Sequence, residues 1–192
     1  YVFLEEDKKN EVKVTTFDSY MQTYEKHIKD SNIGKILIDK ILTDDLQRFY
    51  NEKTASGLSS KTVRHINVIL NMSLNQAVRL QMISQNPNNY TILPQKKRFE
   101  TQVMSIEEIS RLIKDARDEY IYPIVVTDIF TGMRKGEIFA LRWSDIDWGQ
   151  REIHVKGSLC RVAERKPDGK RHYVYKILEP KTDKSKRVIP YA

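Results

Sequence analysis

Arg134 is a residue whose type and surroundings could support chemistry on an anion. It follows Gly132 in the segment TGMRKGE, residues 131–137, between two stretches with helical apolar spacing. A glycine turn between two helices allows an arginine to project from a helix start into a cleft. There its planar guanidinium can bind two phosphate oxygens and stabilise charge that develops during a reaction. Taken alone, an arginine near a glycine is more often an ordinary surface side chain. A functional role for Arg134 therefore depends on the rest of the sequence pattern.

Glu137 is the nearest group that can act on Arg134. It follows the arginine by three residues, which places both side chains on the same face of a helix. The carboxylate would then either orient the guanidinium or tie the helix to the rest of the fold, and we favour the structural role.

The basic residues are concentrated in two segments, which indicates a polyanionic partner. The chain has 33 Lys and Arg against 26 Asp and Glu, a net charge of +7, and no acidic residue lies between Glu52 and Glu100. From Lys156 to Arg187, eleven basic residues stand against four acidic ones. Such surfaces bind nucleic acid by neutralising phosphates and releasing counterions, although a single basic run is often ordinary solvated charge. The candidate nucleic-acid-binding side chains are Lys61, Arg64, Arg79, Lys96, Lys97, Arg98, Lys184 and Arg187.

Composition disfavours several other classes of protein. No apolar run approaches the roughly 18 to 20 residues that span a bilayer, and no signal-peptide pattern is present, so we expect no membrane association or secretion. The single cysteine, Cys160, cannot form an internal disulfide and suits a reducing compartment, which predicts a cytoplasmic location. The four histidines lack the paired spacing of a zinc site, and no glycine-rich phosphate loop is present. We therefore expect neither a metal nor a cofactor.

The first half of the chain has the apolar spacing of a small helical bundle. Helical patterns begin near Thr16, Thr43 and Ser59, and Asn86-Pro87 ends the third of them. The stretch before Thr16 is polar and aperiodic, and the stretch after Pro87 is basic and aperiodic. The predicted boundaries are residues 1–15 for an N-terminal tail or linker, 16–86 for a helical domain, 87–102 for a basic interdomain linker and 103–192 for a second domain.

The second domain begins with helices and continues with strands. A capping box over residues 105–108 and a helical pattern over residues 120–130 precede three segments with strand character, at 152–155, 172–178 and 187–191. In the segment between the last helical pattern and the first strand, we predict that Trp143 is a core residue. We predict that Asp145 and Asp147 form caps or turns rather than acting as metal ligands. The whole chain is therefore predicted to be α+β, an all-α bundle followed by mixed helix and antiparallel sheet.

Three segments resemble the tyrosine recombinases, the phage and conjugative-transposon integrases. Residues 131–137 and 140–147 fit the first active-site box of that family, T-G-x-R-x-G-E followed by a-L-x-W-x-D-I-D, at every named position. Residues 180–190 resemble the family's β-hairpin, P-K-T-x-x-S-x-R-x-I-P, and residues 58–87 resemble its helical core-binding domain. The resemblance extends over roughly residues 16–192.

The resemblance implies a site-specific recombinase whose core-binding domain and front part of the catalytic domain are present. By position, Arg134 and Lys181 would be catalytic, with Lys181 as general acid toward the departing 5′ oxygen, and Glu137 and Thr182 would support them. The two domains would bind duplex DNA as a clamp. The complete enzyme would assemble as a synaptic tetramer and cut strands through a 3′-phosphotyrosyl bond without metal or ATP.

Other parts of the family pattern are absent from these 192 residues. The second box H-x-x-R, a later His or Trp and the nucleophilic Tyr would follow the hairpin, but the sequence stops at Ala192, and it starts at Tyr1 rather than Met. We therefore expect an excerpt of a longer product that binds DNA without cleaving it, and whether the chain is itself an enzyme stays open. The alternative is a non-catalytic integrase remnant or a regulator that occupies recombination sites. A weaker alternative is a ribosome- or RNA-associated basic protein.

Overall fold

The computed structural model describes residues 3–96, 100, 102–165, 171–179 and 186–191, with the backbone alone at residues 165 and 171. The chain divides into two compact units, Tyr1–Phe99 and Glu100–Ala192. Within the described ranges, no helix is both long and apolar enough to cross a membrane. The first unit is helical and the second combines short helices with antiparallel strands, so the predicted α+β fold is confirmed.

Two longer helices, α4 and α5, form the centre of the first unit. In chain order this unit contains the π-helical turn Phe3–Lys8, α1 Lys9–Glu11, α2 Val14–Thr23, the π-helical turn Tyr24–Ile28, α3 Asn32–Lys35, the 3-10 turn Ile38–Lys40, α4 Thr43–Ala55, α5 Ser60–Arg79 and the 3-10 turn Pro87–Tyr90. Helix α5 begins where Ser59 Oγ accepts a hydrogen bond from the Thr62 backbone N–H at 3.2 Å, as expected of an N-cap serine.

The core of the first unit is built on the apolar stripe of α5. The buried residues of that helix are Val63, Ile66, Ile69, Leu70, Leu74 and Ala77. All of them except Ala77 pack in one cluster with Leu46, Phe49 and Tyr50 of α4. Because each fully buried side chain of this kind contributes roughly 1.5–3 kcal/mol, the stripe is enough to hold the helices together.

The N-terminal segment differs from the expected tail. It forms helical turns, and Leu4 is 3% exposed within the core cluster of the first unit. The pattern is hidden in the sequence because a π-helical turn departs from the 3.6-residue period, and because one buried leucine stands among charged neighbours.

The start of the predicted linker also packs on the helical unit. Asn86 and Asn88 are buried, and Tyr50 Oη donates a 2.8 Å hydrogen bond to Asn88 Oδ1. Asn86 Nδ2 donates to Asn71 Oδ1 and Asn75 Oδ1 of α5 at 2.8 and 2.7 Å. Asparagine side chains can satisfy one another when buried, so polar sequence here does not mean exposed chain. The exact domain boundaries stay a prediction.

Over its described residues, the second unit combines three helices with two small antiparallel sheets. In chain order it contains α6 Ile106–Asp115, α7 Tyr122–Thr131, α8 Lys135–Ile138, the 3-10 turn Trp143–Asp145, β1 Ile146–Asp147, β2 Glu152–Val155, β3 Ser158–Arg165, β4 Arg171–Leu178 and β5 Arg187–Pro190. One sheet has the order β1-β2-β5 and pairs Ile153 with Ile189, and the other pairs β3 with β4.

The apolar core of the second unit is small. Met133, Ile153 and Val155 are buried together, and neither α6 nor α7 buries a residue within the helix bounds. The prediction that Trp143 is a core residue is wrong, because its side chain is 80% exposed and stacks on Trp148 with ring centroids 6.3 Å apart. A large aromatic side chain is buried only where a neighbouring element covers it.

Candidate functional site

The turn between α7 and α8 places Arg134 at the start of a helix. Gly132 ends α7 in the left-handed conformation, at φ +60°, and its N–H donates to Asp128 O at 2.9 Å. Met133 is then buried, and the extended Arg134 precedes the first residue of α8. The left-handed step favours glycine because a Cβ would be strained there, so this backbone directs the arginine as the sequence predicts.

Glu137 is the buried carboxylate of the site. It is 5% exposed, although it lies only three residues from Arg134, whose side chain is 72% exposed. Its Oε2 accepts the Arg134 backbone N–H at 2.9 Å, and its Oε1 accepts Arg134 Nη1 at 2.9 Å. The carboxylate therefore fixes both the backbone and the guanidinium of Arg134.

Arg187 at the start of β5 binds the same carboxylate. Its Nη1 donates to Glu137 Oε1 at 3.1 Å and its Nη2 donates to Glu137 Oε2 at 2.9 Å. This is the two-point pairing that a guanidinium and a carboxylate form best. One buried carboxylate thus joins the first residue of β5 to the residue that starts α8.

These contacts keep Glu137 ionised. The hydrogen bond from Arg187 is the largest cause, burial opposes it, and hydrogen bonds from the backbone and side chain of Arg134 add to it, so the pKa of Glu137 falls from 4.5 to about 2. The same hydrogen bond raises the pKa of Arg187. At neutral pH the two arginines and the glutamate together carry one positive charge. Within the described part of the chain, Nε and Nη2 of Arg134 make no hydrogen bond and are available to an anion.

Neighbouring contacts hold the elements around this group. Gly136 of α8 lies so close to β3 that an added Cβ would stand 2.3 Å from Ser158 Oγ. Asp145 accepts the Arg142 backbone N–H at 3.1 Å and Lys156 Nζ at 2.8 Å. Asp147 Oδ1 accepts two backbone N–H groups of the following turn at 2.9 Å. The two aspartates therefore cap and turn the chain, as the sequence predicts.

The other predicted site residues fall into three groups. Lys61, Arg79 and Lys96 are exposed on the first unit. Arg64 is half-buried, and its Nε and Nη2 donate to Pro94 O at 3.1 and 2.9 Å, so those donors serve the fold. The predicted site residues that lie outside the described residues are Lys97, Arg98, Lys181, Thr182 and Lys184.

The pairing of Arg187 with Glu137 is a feature that sequence reasoning missed. Arg187 is predicted only as a DNA contact, and its side chain is instead 30% exposed and bound to a carboxylate fifty residues earlier in the chain. No periodicity connects positions so far apart. The sequence did contain one signal for this pairing. Glu137 and Arg187 carry opposite charges and belong to the two motif segments, residues 131–137 and 180–190, that must come together in space.

Comparisons with known proteins point to one family. A family model described as "Phage integrase, N-terminal SAM-like domain" matches residues 1–54. A protein named "Tyrosine recombinase XerC-like", from Caldanaerobacter subterraneus subsp. tengcongensis, is 31% identical over 186 residues, which cover 93% of this chain and 47% of that protein. The "ICEBs1 integrase" of Bacillus subtilis is 31% identical over 167 residues, 85% of this chain and 42% of that protein.

A solved structure shares the fold of the chain. The Tn1549 transposon integrase in complex with transposon right end DNA superposes with a TM-score of 0.79 at 21% identity, over 100% of this chain and 60% of that one. The chain spans somewhat less than half the length of these two curated relatives.

Proposed function

Because the chain belongs to the tyrosine recombinase family of phage-type integrases, we propose that it is the DNA-binding front part of a site-specific recombinase. In this proposal Arg134 binds the phosphodiester to be cut, and duplex DNA is the partner. The observation that carries the proposal is the buried Glu137, which holds the exposed guanidinium of Arg134 at the start of α8.

The geometry suits stabilisation of charge on a phosphate. Glu137 Oε1 accepts a hydrogen bond from Nη1 of Arg134, which leaves Nε and Nη2 of this 72% exposed side chain as donors for an anion. A guanidinium held by a neighbour loses little freedom when it binds two phosphate oxygens, and its charge stabilises negative charge that develops as the bond breaks. Glu137 is in this account a positioning residue, since it acts through Arg134.

Lys181 is the proposed general acid, with Thr182 beside it, on the strength of the motif. In the sequence, Lys181 and Arg187 belong to the same motif segment, residues 180–190. The Arg187 end of that segment binds the carboxylate of Glu137, which also holds Arg134. This shared carboxylate supports the proposal that the motif segment and Arg134 act at one phosphate.

The first unit supplies the proposed contacts to the DNA backbone. Lys61 and Arg79 are exposed at the two ends of α5. Eighteen residues make five turns of a helix, so both side chains lie on one face, roughly 27 Å apart. Lys96 adds a third exposed cation beyond that helix. Each unit would thus bring a basic surface to the duplex, and self-association on DNA remains a prediction.

The proposal gives these 192 residues DNA binding without strand cleavage, because they contain neither an H-x-x-R box nor a tyrosine at the nucleophile's place. The chemistry proposed for the family uses a tyrosine nucleophile, so it calls for no metal or nucleotide.

The test is equilibrium binding of the chain to a duplex from the ends of its own element and to a random duplex, over a salt series. We expect tighter binding to the element ends and a fall in log K with log salt of slope about −4 or steeper, since each phosphate contact contributes about −0.9. No binding to either duplex at low salt would overturn the proposal. A covalent protein–DNA adduct on a nicked suicide substrate would refute the absence of cleavage alone.

A further inference from the structure

Strands β3 and β4 form a two-stranded ribbon that the site described above does not use. The register pairs Arg161 with Tyr175 and Ala163 with Tyr173. Because side chains alternate along a strand, the ribbon has two distinct faces. The outer face, as we name it, consists of Leu159, Arg161, Ala163, Tyr173, Tyr175 and Ile177.

The outer face presents an arginine that packs on an aromatic ring. The guanidinium carbon of Arg161 lies 3.7 Å from the ring centroid of Tyr173, a cation–π contact that restrains the side chain. Arg161 is exposed, and Tyr175, directly opposite it, is 71% exposed. The face therefore offers a restrained positive charge next to a phenol hydroxyl, both facing solvent.

The charges of the ribbon are divided unequally between the two faces. On the opposite face Val162 is buried and Lys176 forms an ion pair with Glu164, which neutralises both. Among the described side chains of the outer face there is no carboxylate. Residues 158–178 contain six Lys or Arg and two Asp or Glu, a net charge of +4. The uncompensated charge that the structure describes on this ribbon thus lies on the outer face.

The length of the ribbon and the position of its base suit contact with a duplex. Eight residues per strand at about 3.3 Å each give a length of roughly 26 Å, which is long enough to follow several successive phosphates of a duplex. Its base is fixed to α8, where Gly136 leaves no room for a Cβ against Ser158. The ribbon therefore starts next to the helix that Arg134 immediately precedes.

We propose that the outer face is a second DNA-contacting surface, which binds the phosphate backbone of the duplex through Arg161 and Tyr175 close to the site of Arg134. This rests on the proposed function, because the duplex must be the partner of the chain. It names residues that are outside the motifs and that charge alone does not single out, since Lys176 on the same ribbon carries the same charge.

Binding of the 192-residue chain to a fluorescent duplex tests the proposal, with a control on the same strand. Arg161→Gln removes a charge from the outer face, and Lys176→Gln removes one from the opposite face. We expect Arg161→Gln to weaken binding about 5- to 20-fold near 0.1 M salt and to reduce the magnitude of the slope of log K against log salt by about 0.9. The affinity of Lys176→Gln should stay within about 2-fold of that of the unaltered chain. Tyr175→Phe, which removes only the hydroxyl, should weaken binding about 2- to 5-fold. Circular dichroism must show that each variant is folded.

Equal losses for Arg161→Gln and Lys176→Gln, or no loss for either, would overturn the inference and leave the proposed function intact. Failure of the unaltered chain to bind any duplex would contradict both the proposed function and this inference.

A photoreactive benzoylphenylalanine in place of Tyr175 shows whether the partner of the outer face is DNA or a protein. It should crosslink to the duplex, and the same group in place of Lys176 should not. Crosslinks from position 175 to a second copy of the chain instead of DNA would contradict the inference.

Discussion

The helical unit and the second unit differ in what surrounds their most buried side chains. In the first, Leu46, Tyr50 and Ile66 are at most 1% exposed within a continuous apolar cluster. In the second, the buried apolar cluster is small, and the buried Glu137 is surrounded by two arginines. Apolar packing therefore fixes the first unit, whereas hydrogen-bonded charge fixes the part of the second that would do chemistry.

This difference has a physical consequence for function. A guanidinium that must meet a phosphate cannot be placed in an apolar core, because burial of an unpaired charge is strongly unfavourable. Holding Arg134 by a carboxylate leaves its remaining donors exposed. The unit that carries the candidate site therefore depends on polar contacts more than the helical unit does. Each polar contact contributes less than a buried apolar side chain, and its contribution changes with pH.

The largest expected effect is on the core of the first unit. Ile66→Ala should lower its free energy of unfolding by about 2–5 kcal/mol, because Ile66 is fully buried. Val68→Ala on the same helix is the control, since Val68 is 44% exposed, and it should cost less than about 1 kcal/mol. Helical circular dichroism in a denaturant titration measures both. Similar costs for the two variants would mean that the stripe does not hold the unit.

Glu137→Gln tests the polar contacts of the second unit. The variant keeps the shape of the side chain but loses the charge that binds Arg134 and Arg187, and we expect a loss of about 1–3 kcal/mol. Both tryptophans of the chain, Trp143 and Trp148, lie in this unit, so their fluorescence reports its unfolding. Glu164→Gln, which breaks an exposed ion pair, is the control and should cost under about 0.5 kcal/mol. If the two variants match, the buried carboxylate does not stabilise the unit.

Much of the helical unit follows from the sequence, and so do parts of the second. The apolar stripe of α5 and its Ser59 cap are local patterns, and the capping box of α6 forms as expected, with Ser105 N–H donating to Glu108 at 2.7 Å. Strand β2 spans the predicted residues 152–155. What is missed depends on distant partners: the burial of Leu4, the exposure of Trp143 and the pairing of Arg187 with Glu137.

Acid should weaken the second unit through Glu137. Its pKa is lowered on folding, from 4.5 to about 2, so its stabilising contribution is complete above pH 4.5 and is lost as the pH falls toward 2. The loss amounts to at most about 3 kcal/mol. Tryptophan-detected stability of the unaltered chain should therefore fall more between pH 4.5 and 2 than that of Glu137→Gln. Parallel pH curves for the two proteins would show that the carboxylate is not held as described.

Gly132→Ala should have the smallest effect in this series, and it tests the backbone that directs Arg134. A Cβ at φ +60° is strained although nothing lies within 4 Å of it, so we expect a cost of about 1 kcal/mol. Gly149→Ala is the matched control, because its φ is not positive and its Cβ would make an ordinary contact at 3.4 Å. A Gly132→Ala protein as stable as the control would argue against the left-handed turn.

The central claim is that Arg134 binds a phosphate, and a methylphosphonate scan tests it most directly. Single phosphates of a bound duplex are replaced one at a time by the neutral linkage, and affinity is measured for the unaltered chain and for Arg134→Ala. If Arg134 binds a phosphate, the neutral linkage at one position will weaken binding of the unaltered chain about tenfold, as for a charge-assisted contact. At that position it will change binding of Arg134→Ala less than about twofold. Identical profiles for the two proteins at every position would contradict it.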